Sequence, residues 1–191
     1  MVNEKKRTVD TWKKKKWCPI LADETFDNKE IGRTIALENK NVVGRTIKKS
    51  LDSLTNNVKD SLYIITFRID KIIGGKGEAV ISEMDTKPGN LKRLIRRQKS
   101  KIEDIINVET KDNHNLKLKV IFITGAKYTT KMRTEARKII KTYFITEIKE
   151  KTLKEVWNEL IYQKLSEKAK VKLTKLGFVN KIVVAKVKLI K

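Results

Sequence analysis

Residues 63–84 read YIITFRIDKIIGGKGEAVISEM, and this stretch decides the fold class. Tyr63, Ile65, Phe67 and Ile69 share one parity, the period of a strand with a buried face. Leu62 and Ile64 take the other parity, so the strand is expected to be covered on both sides where it begins. Gly74-Gly75-Lys76-Gly77 turns the chain, and Glu78 to Met84 returns it as a second strand. The glycine cluster lacks the spacing of a phosphate-cradling loop and has no Ser or Thr after its lysine, so it reads as a hairpin turn.

Toward the C-terminus, Ile105 to Thr110 and Leu116 to Ile123 form the next two strands. Leu116, Leu118, Val120 and Phe122 point one way, Lys117 and Lys119 the other. The joint between them, Lys111 to Asn115, is rich in turn formers. Val183, Ala185, Val187 and Leu189 alternate with Val184, Lys186 and Lys188 as a last strand. Pro88 opens a helical period, with Leu91, Leu94, Ile95 and Ile102 on one stripe, which predicts a helix of four turns. A second helix over 127–150 carries Met132, Ala136, Ile139, Ile140, Tyr143 and Phe144. A third over 153–165 carries Leu153, Val156, Trp157, Leu160 and Ile161, and Gly177 ends the helical region. Toward the N-terminus, Cys18 to Leu21 and Val42 to Ile47 read as short strands, and Asn56-Asn57 as a turn. Gly32 and Gly44 each head a Gly-Arg-Thr-Ile unit, where glycine marks a bulge or a close backbone approach.

Strands without regular crossover helices between them predict an α+β fold: a small, mostly antiparallel β-barrel or sheet with two to three helices packed beside it. The expected organisation is a basic arm over 1–16 and a single domain over 17–191.

The chain holds 45 Lys and Arg against 23 Asp and Glu, a net charge of +22 in 191 residues. A compact chain this positive repels itself and loses stability unless a polyanion neutralises it. Nucleic acid is the strongest candidate, because each neutralised phosphate releases a condensed counterion. Apolar residues make up 39%, with enough Ile, Leu and Val for a true core, so the charge belongs to a folded surface and its ends. No run of about 18 apolar residues exists to cross a membrane. No basic helix with an aromatic apolar face marks a membrane surface site. Residues 1–16 have no apolar signal core, so a cytoplasmic location is expected. One Cys and one His supply neither a disulfide nor a zinc site, and no cofactor is expected.

The candidate RNA contacts fall in three places. The arm ends in Lys13, Lys14, Lys15 and Lys16 against Trp17, which either stacks on a base or sugar or is the first core residue. Lys92, Arg93, Arg96, Arg97 and Lys99 lie opposite the apolar stripe of the first helix, with Lys101 following. No acidic residue occurs from Lys87 to Ile102 to relieve that repulsion. Lys127, Lys131, Arg133 and Arg137 crowd the first half of the second helix, where the helix dipole adds positive potential. Arg96, Arg97, Arg133 and Arg137 are the strongest individual candidates, because arginine bridges phosphate oxygens bidentately.

Enzymatic readings find less support. Asp70, Glu83, Asp85 and Asp104 are dispersed carboxylates whose spacing does not rise above charge balance, so a nuclease centre is not indicated. His114, the only histidine, sits in a turn with no nucleophile fixed near it. Trp157 stands mid-stripe and reads as core. Charge alone leaves open a free RNA chaperone or a DNA-compacting protein.

A family resemblance narrows this. Lys15-Lys16-Trp17, Ala22, Phe26, Ile31-Gly32 and Thr34 resemble the opening of an archaeal and eukaryotic small-subunit ribosomal protein family, the "S three A e" or "e S one" family. The likeness continues through Val43-Gly44-Arg45, Ser50-Leu51, Leu54-Thr55, Leu91, Leu94-Ile95-Arg96-Arg97, Ser100-Lys101-Ile102-Glu103, Val108 and Thr110-Lys111-Asp112. Lys131-Met132-Arg133 and Arg137-Lys138-Ile139 resemble the family's basic helix. Together these cover about residues 10–190. Cys18 departs from the aromatic common there, and Gln98-Lys99 from smaller residues. Animal and plant members carry a longer tail, so an archaeal-type or reduced member is expected. The resemblance implies a non-catalytic, rRNA-binding component of the small-subunit platform near the mRNA exit, with a small β-barrel and flanking helices. It implies small-subunit rRNA, neighbouring platform proteins and mRNA near the exit as partners, and no homo-oligomer.

Overall fold

The computed structural model describes residues 11–174 and 179–190. Lys5, Lys6 and Arg7 of the arm, and Gly177, lie outside the described residues. The strands are β1 (Lys16–Leu21), β2 (Glu30–Ala36), β3 (Thr46–Ser50), β4 (Tyr63–Ile73), β5 (Lys76–Thr86), β6 (Lys101–Glu109), β7 (Asn115–Thr124) and β8 (Val179–Ile190). The helices are α1 (Asp52–Thr55), α2 (Pro88–Leu94), α3 (Thr130–Lys149), α4 (Leu153–Ile161) and α5 (Lys164–Thr174). The strands run in the order β2-β1-β5-β8-β7-β6, with β4 paired to β5 and β3 to β4. Pairing is antiparallel except where β1 meets β5 over Ile20↔Gly77 and Leu21↔Glu78. The fold is α+β as expected. The sheet is open, ending in β2 on one side and β6 on the other, so the barrel implied by the resemblance is not formed.

The β4–β5 hairpin follows its sequence closely. Gly74 and Gly75 take φ of +58° and +78°, the left-handed pair whose twist matches the flanking strands and which glycine adopts without a Cβ penalty. Tyr63, Ile65, Phe67 and Ile69 are buried, as is Thr66 on the other parity.

The chain divides into two compact units, Met1–Ile47 with Phe67–Ile81 and Lys48–Thr66 with Ser82–Lys191. In the first, β1 and β2 pair from Lys16↔Ala36 to Leu21↔Glu30. The Cys18 thiol donates to the Gly75 carbonyl at 3.0 Å, and Phe26 meets Phe67 edge-on at 5.8 Å. The strand expected at Val42 to Ile47 begins only at Thr46. A 3₁₀ turn over Asn39–Asn41 precedes it, and Gly44 at φ +85° turns its N–H to the Ile69 carbonyl at 2.8 Å. The two Gly-Arg-Thr-Ile units meet: Arg45 Nη1 donates to Thr34 Oγ1 at 2.8 Å and to the Ile35 carbonyl at 2.9 Å.

In the second unit, β6, β7 and β8 pair in long antiparallel ladders. Ile102, Ile106 and Val108 stand beside Phe122, Leu118 and Leu116 on one buried face. The apolar stripes of the long helices are buried in this unit: Ala136, Ile140, Phe144 and Ile148 on α3, Val156, Trp157, Leu160 and Ile161 on α4, Leu165, Ala169 and Leu173 on α5. Trp157 is therefore core. The helix expected over 153–165 is two helices, because Gln163 takes φ +57° and breaks it. Lys151 joins α3 to α4, bonding Glu147 at 3.1 Å and Glu159 at 2.6 Å. Burial opposes the charge on Lys151, but the two carboxylates outweigh it and raise its pKa.

The largest departure is α2. The four-turn helix expected from Pro88 to Ile102 stops at Leu94. Ile95 is extended, Gln98 sits at φ +63°, and Ile102 lies in β6 opposite Phe122. The apolar spacing that mimics a helix serves two surfaces instead. Leu91 and Leu94 pack on Ile121, Ile123 and Ala185, while Ile102 joins the sheet core. Tertiary burial here overrides a short local period.

Candidate nucleic-acid interface

Ser100 is the point where the two basic segments meet. It is 4% exposed, beside Thr124, which is fully buried. The Ser100 N–H donates to Thr124 Oγ1 at 2.9 Å, and the Thr124 N–H returns a bond to the Ser100 carbonyl at 3.0 Å. The Ser100 hydroxyl oxygen accepts from the Tyr128 N–H at 3.1 Å and from Arg133 Nη2 at 3.2 Å. One buried serine thus ties the start of β6, the loop after β7 and the first turns of α3. Thr129 caps α3, its hydroxyl accepting from the Met132 N–H.

Around this knot the expected cations fall as follows. Lys92 and Arg93 are exposed on α2, and Arg96 and Arg97 are exposed in the turn after it. Lys99 is half-buried. Lys101, first in β6, is paired with Glu103. Lys127 precedes α3 and is exposed, as are Lys131 and Arg137 on it. Arg133 is half-buried with its Nε enclosed and unpartnered among the described residues. The serine and threonine of the knot escaped the sequence reading; a small hydroxyl residue in a run of cations was the available signal. The same reading extended Arg96 and Arg97 along a helix, where the structure puts them in a turn.

The arm belongs to the other unit. Lys13 and Lys14 are exposed at the end of a 3₁₀ turn, and Lys15 Nζ sits 4.0 Å over the Trp12 ring. Lys16 and Trp17 begin β1. Trp17 is 66% exposed, which removes the core alternative and leaves its face free for stacking.

The sheet of the second unit also carries cations, arranged otherwise. Lys186 lies 3.4 Å from Glu83 and 3.2 Å from Asp85, and Lys188 lies 3.0 Å from Glu83. Lys119 lies 3.4 Å from Glu103, which Lys101 also meets. Burial pushes against ionisation of Glu83, but Lys188 and Lys186 together hold its carboxyl below the ordinary value. Lys101, then Lys119, lower Glu103 in the same way. Lys92, Arg93, Arg96, Arg97, Lys127, Lys131 and Arg137 have no ion pair among the described residues.

Chemically, the segments joined at Ser100 present exposed cations suited to anions. No three metal-ligating side chains gather among the described residues, and no helix there is long and apolar enough to cross a membrane. His114 lies exposed in the β6–β7 turn, its carbonyl accepting from Thr110.

An α+β scaffold that leaves exposed arginines and lysines unquenched in the segments joined at Ser100 is what a structural protein of a nucleic-acid assembly requires. The chain belongs to the ribosomal S3Ae family, whose model matches residues 3–191. Named relatives agree. It is 30% identical to the small ribosomal subunit protein eS1 of Staphylothermus marinus, over 95% of this chain and 85% of that protein. It is 30% identical to that of Sulfurisphaera tokodaii, over 100% and 98%, and 29% identical to that of Methanocaldococcus jannaschii, over 95% and 82%.

Proposed function

We propose that this protein is a structural constituent of the small ribosomal subunit that binds rRNA through backbone phosphates and so supports translation in the cytoplasm. The carrying observation is the family match along nearly the whole chain, joined to a cluster of cations without internal counter-ions beside Ser100. The basic turn and the start of α3 meet phosphates of folded rRNA by shape and charge, not by base sequence. Trp17 with Lys13, Lys14, Lys15 and Lys16 adds a second contact in which an exposed ring covers a base or sugar. The site lies on the platform near the mRNA exit, with platform proteins as neighbours and mRNA within reach. The role is structural and not catalytic.

Sedimentation of a native extract tests this reading. The protein should travel with small subunits and stay bound in moderate salt. A pool found mostly free or on chromatin would instead favour an RNA chaperone or a DNA-compacting protein.

A further inference from the structure

Resting on that reading, we propose that Arg133 is a positioning residue, not a phosphate contact: it clasps Ser100 and holds the Arg96–Lys99 turn in the shape that meets RNA. The turn needs such help. α2 is seven residues long and its N-cap makes no side-chain bond. Within the turn, Gln98 occupies the left-handed region, where a non-glycine residue is strained. Its local backbone bonds are long, Ile95 N–H to the Lys92 carbonyl at 3.3 Å and Lys99 N–H to the Arg96 carbonyl at 3.4 Å. Beyond the packed Leu91 and Leu94, the chain is next held firmly at Ser100, which Thr124, Tyr128 and Arg133 all bond.

Arg133 differs from the other arginines in where its fork goes. Arg96, Arg97 and Arg137 are exposed, whereas Arg133 is half-buried and spends Nη2 on a serine that is itself covered. Its own backbone is fixed, the Arg133 N–H donating to the Thr129 carbonyl at 3.1 Å. A rigid helix therefore reaches across to brace a weakly bonded turn. Lysine is one atom shorter and carries no donor to the place of Nη2 against the Ser100 hydroxyl.

The test uses two substitutions that leave the charge unchanged, Ser100→Ala and Arg133→Lys, in the full chain. The probe is protein-free small-subunit rRNA from one of the archaeal relatives. Each lost phosphate contact lowers the slope of log affinity against log salt by about 0.7–0.9. Positioning predicts that both variants lose at least one contact's worth of slope and roughly tenfold in affinity near physiological salt, although no charge is removed. Both should also show faster amide exchange over residues 96–99 in the RNA-free protein, with unchanged circular dichroism. If Ser100→Ala unfolds, Arg133→Lys decides alone. Unchanged slope and exchange in the folded variants overturn the proposal while wild-type binding keeps the parent reading. Failure of the wild type to bind rRNA overturns the parent reading, and the exchange measurement still judges the clasp.

Discussion

Two sets of cations in the same unit have opposite surroundings. On the sheet, Lys101, Lys119, Lys186 and Lys188 stand among Glu83, Asp85 and Glu103 within ion-pair reach. On α2, the turn after it and the start of α3, Lys92, Arg93, Arg96, Arg97, Lys127, Lys131 and Arg137 have no such partner among the described residues. Across the β5–β8 ladder Glu83 stands opposite Lys188 and Asp85 opposite Lys186, about 5 Å apart, while Lys101 meets Glu103 along its own strand and Lys119 meets it diagonally from β7. The turn and the helix start have no ladder, and the sequence places no acid from Lys87 to Ile102. Net charge only asks for a polyanion. The proposed contact is drawn from the unquenched fraction, which is what the following variants test.

The largest effect should come from reversing the unquenched set. Arg96→Glu with Arg97→Glu should weaken rRNA binding by roughly 3 kcal/mol or more, taking about 1.5–3 kcal/mol for each charge-assisted contact. Both side chains are exposed, so circular dichroism and the melting temperature should stay put. Undiminished affinity in the folded double variant would erase the distinction between the two sets.

Next in size is Trp17. Its ring is 66% exposed, so Trp17→Ala removes little core. Loss of one stacked base should cost about 1–3 kcal/mol of rRNA affinity. Titration of the variant measures it, and full affinity would return Trp17 to the status of an idle surface ring.

Smaller still is Lys186→Ala, which strips the sheet of a quenched cation. Glu83 and Asp85 then repel each other less well screened, and stability should drop by at most about 1 kcal/mol, the range of half-exposed ion pairs. Its rRNA affinity should match wild type within twofold. A fall as large as that from a turn arginine would mean that the sheet also faces phosphate.

Sequence alone showed much of this scaffold and little of its charge pairing. Gly74 and Gly75 announced their hairpin because few residues accept two left-handed positions in succession. The alternation from Leu116 to Phe122 announced β7, every one of its inward residues being buried. Leu91, Leu94, Ile95 and Ile102 misled, because a helical period and a helix followed by a strand can share the same spacing. The family's basic residues were visible as residues. Which lysines face a carboxylate depends on register between strands as distant as Glu83 and Lys188, and no local pattern encodes that pairing. The Ser100 knot is hidden for the same reason, since Thr124, Tyr128 and Arg133 reach it from 24 to 33 residues along the chain.

The finest probe of the comparison is acid. Glu83 has a folded pKa below its ordinary 4.5, where Lys188 and Lys186 overcome its burial. A carboxylate with a depressed folded pKa adds stability that is fully present above its unfolded value and lost as pH falls through the folded one. Urea midpoints should therefore hold from neutral pH to about 5 and then decline. Glu83→Gln cannot titrate, so it should start lower at pH 7, lose less on acidification, and meet the wild-type curve once Glu83 is protonated. At pH 7 the same variant releases Lys188 from its carboxylate partner while Asp85 still holds Lys186. A rise of one full phosphate contact in the salt slope of this variant would show that the sheet lysines differ from the turn arginines only in having a carboxylate beside them. An unchanged slope, which the geometry of the Ser100 region favours, would show that position on the braced turn matters as much as freedom from a counter-ion.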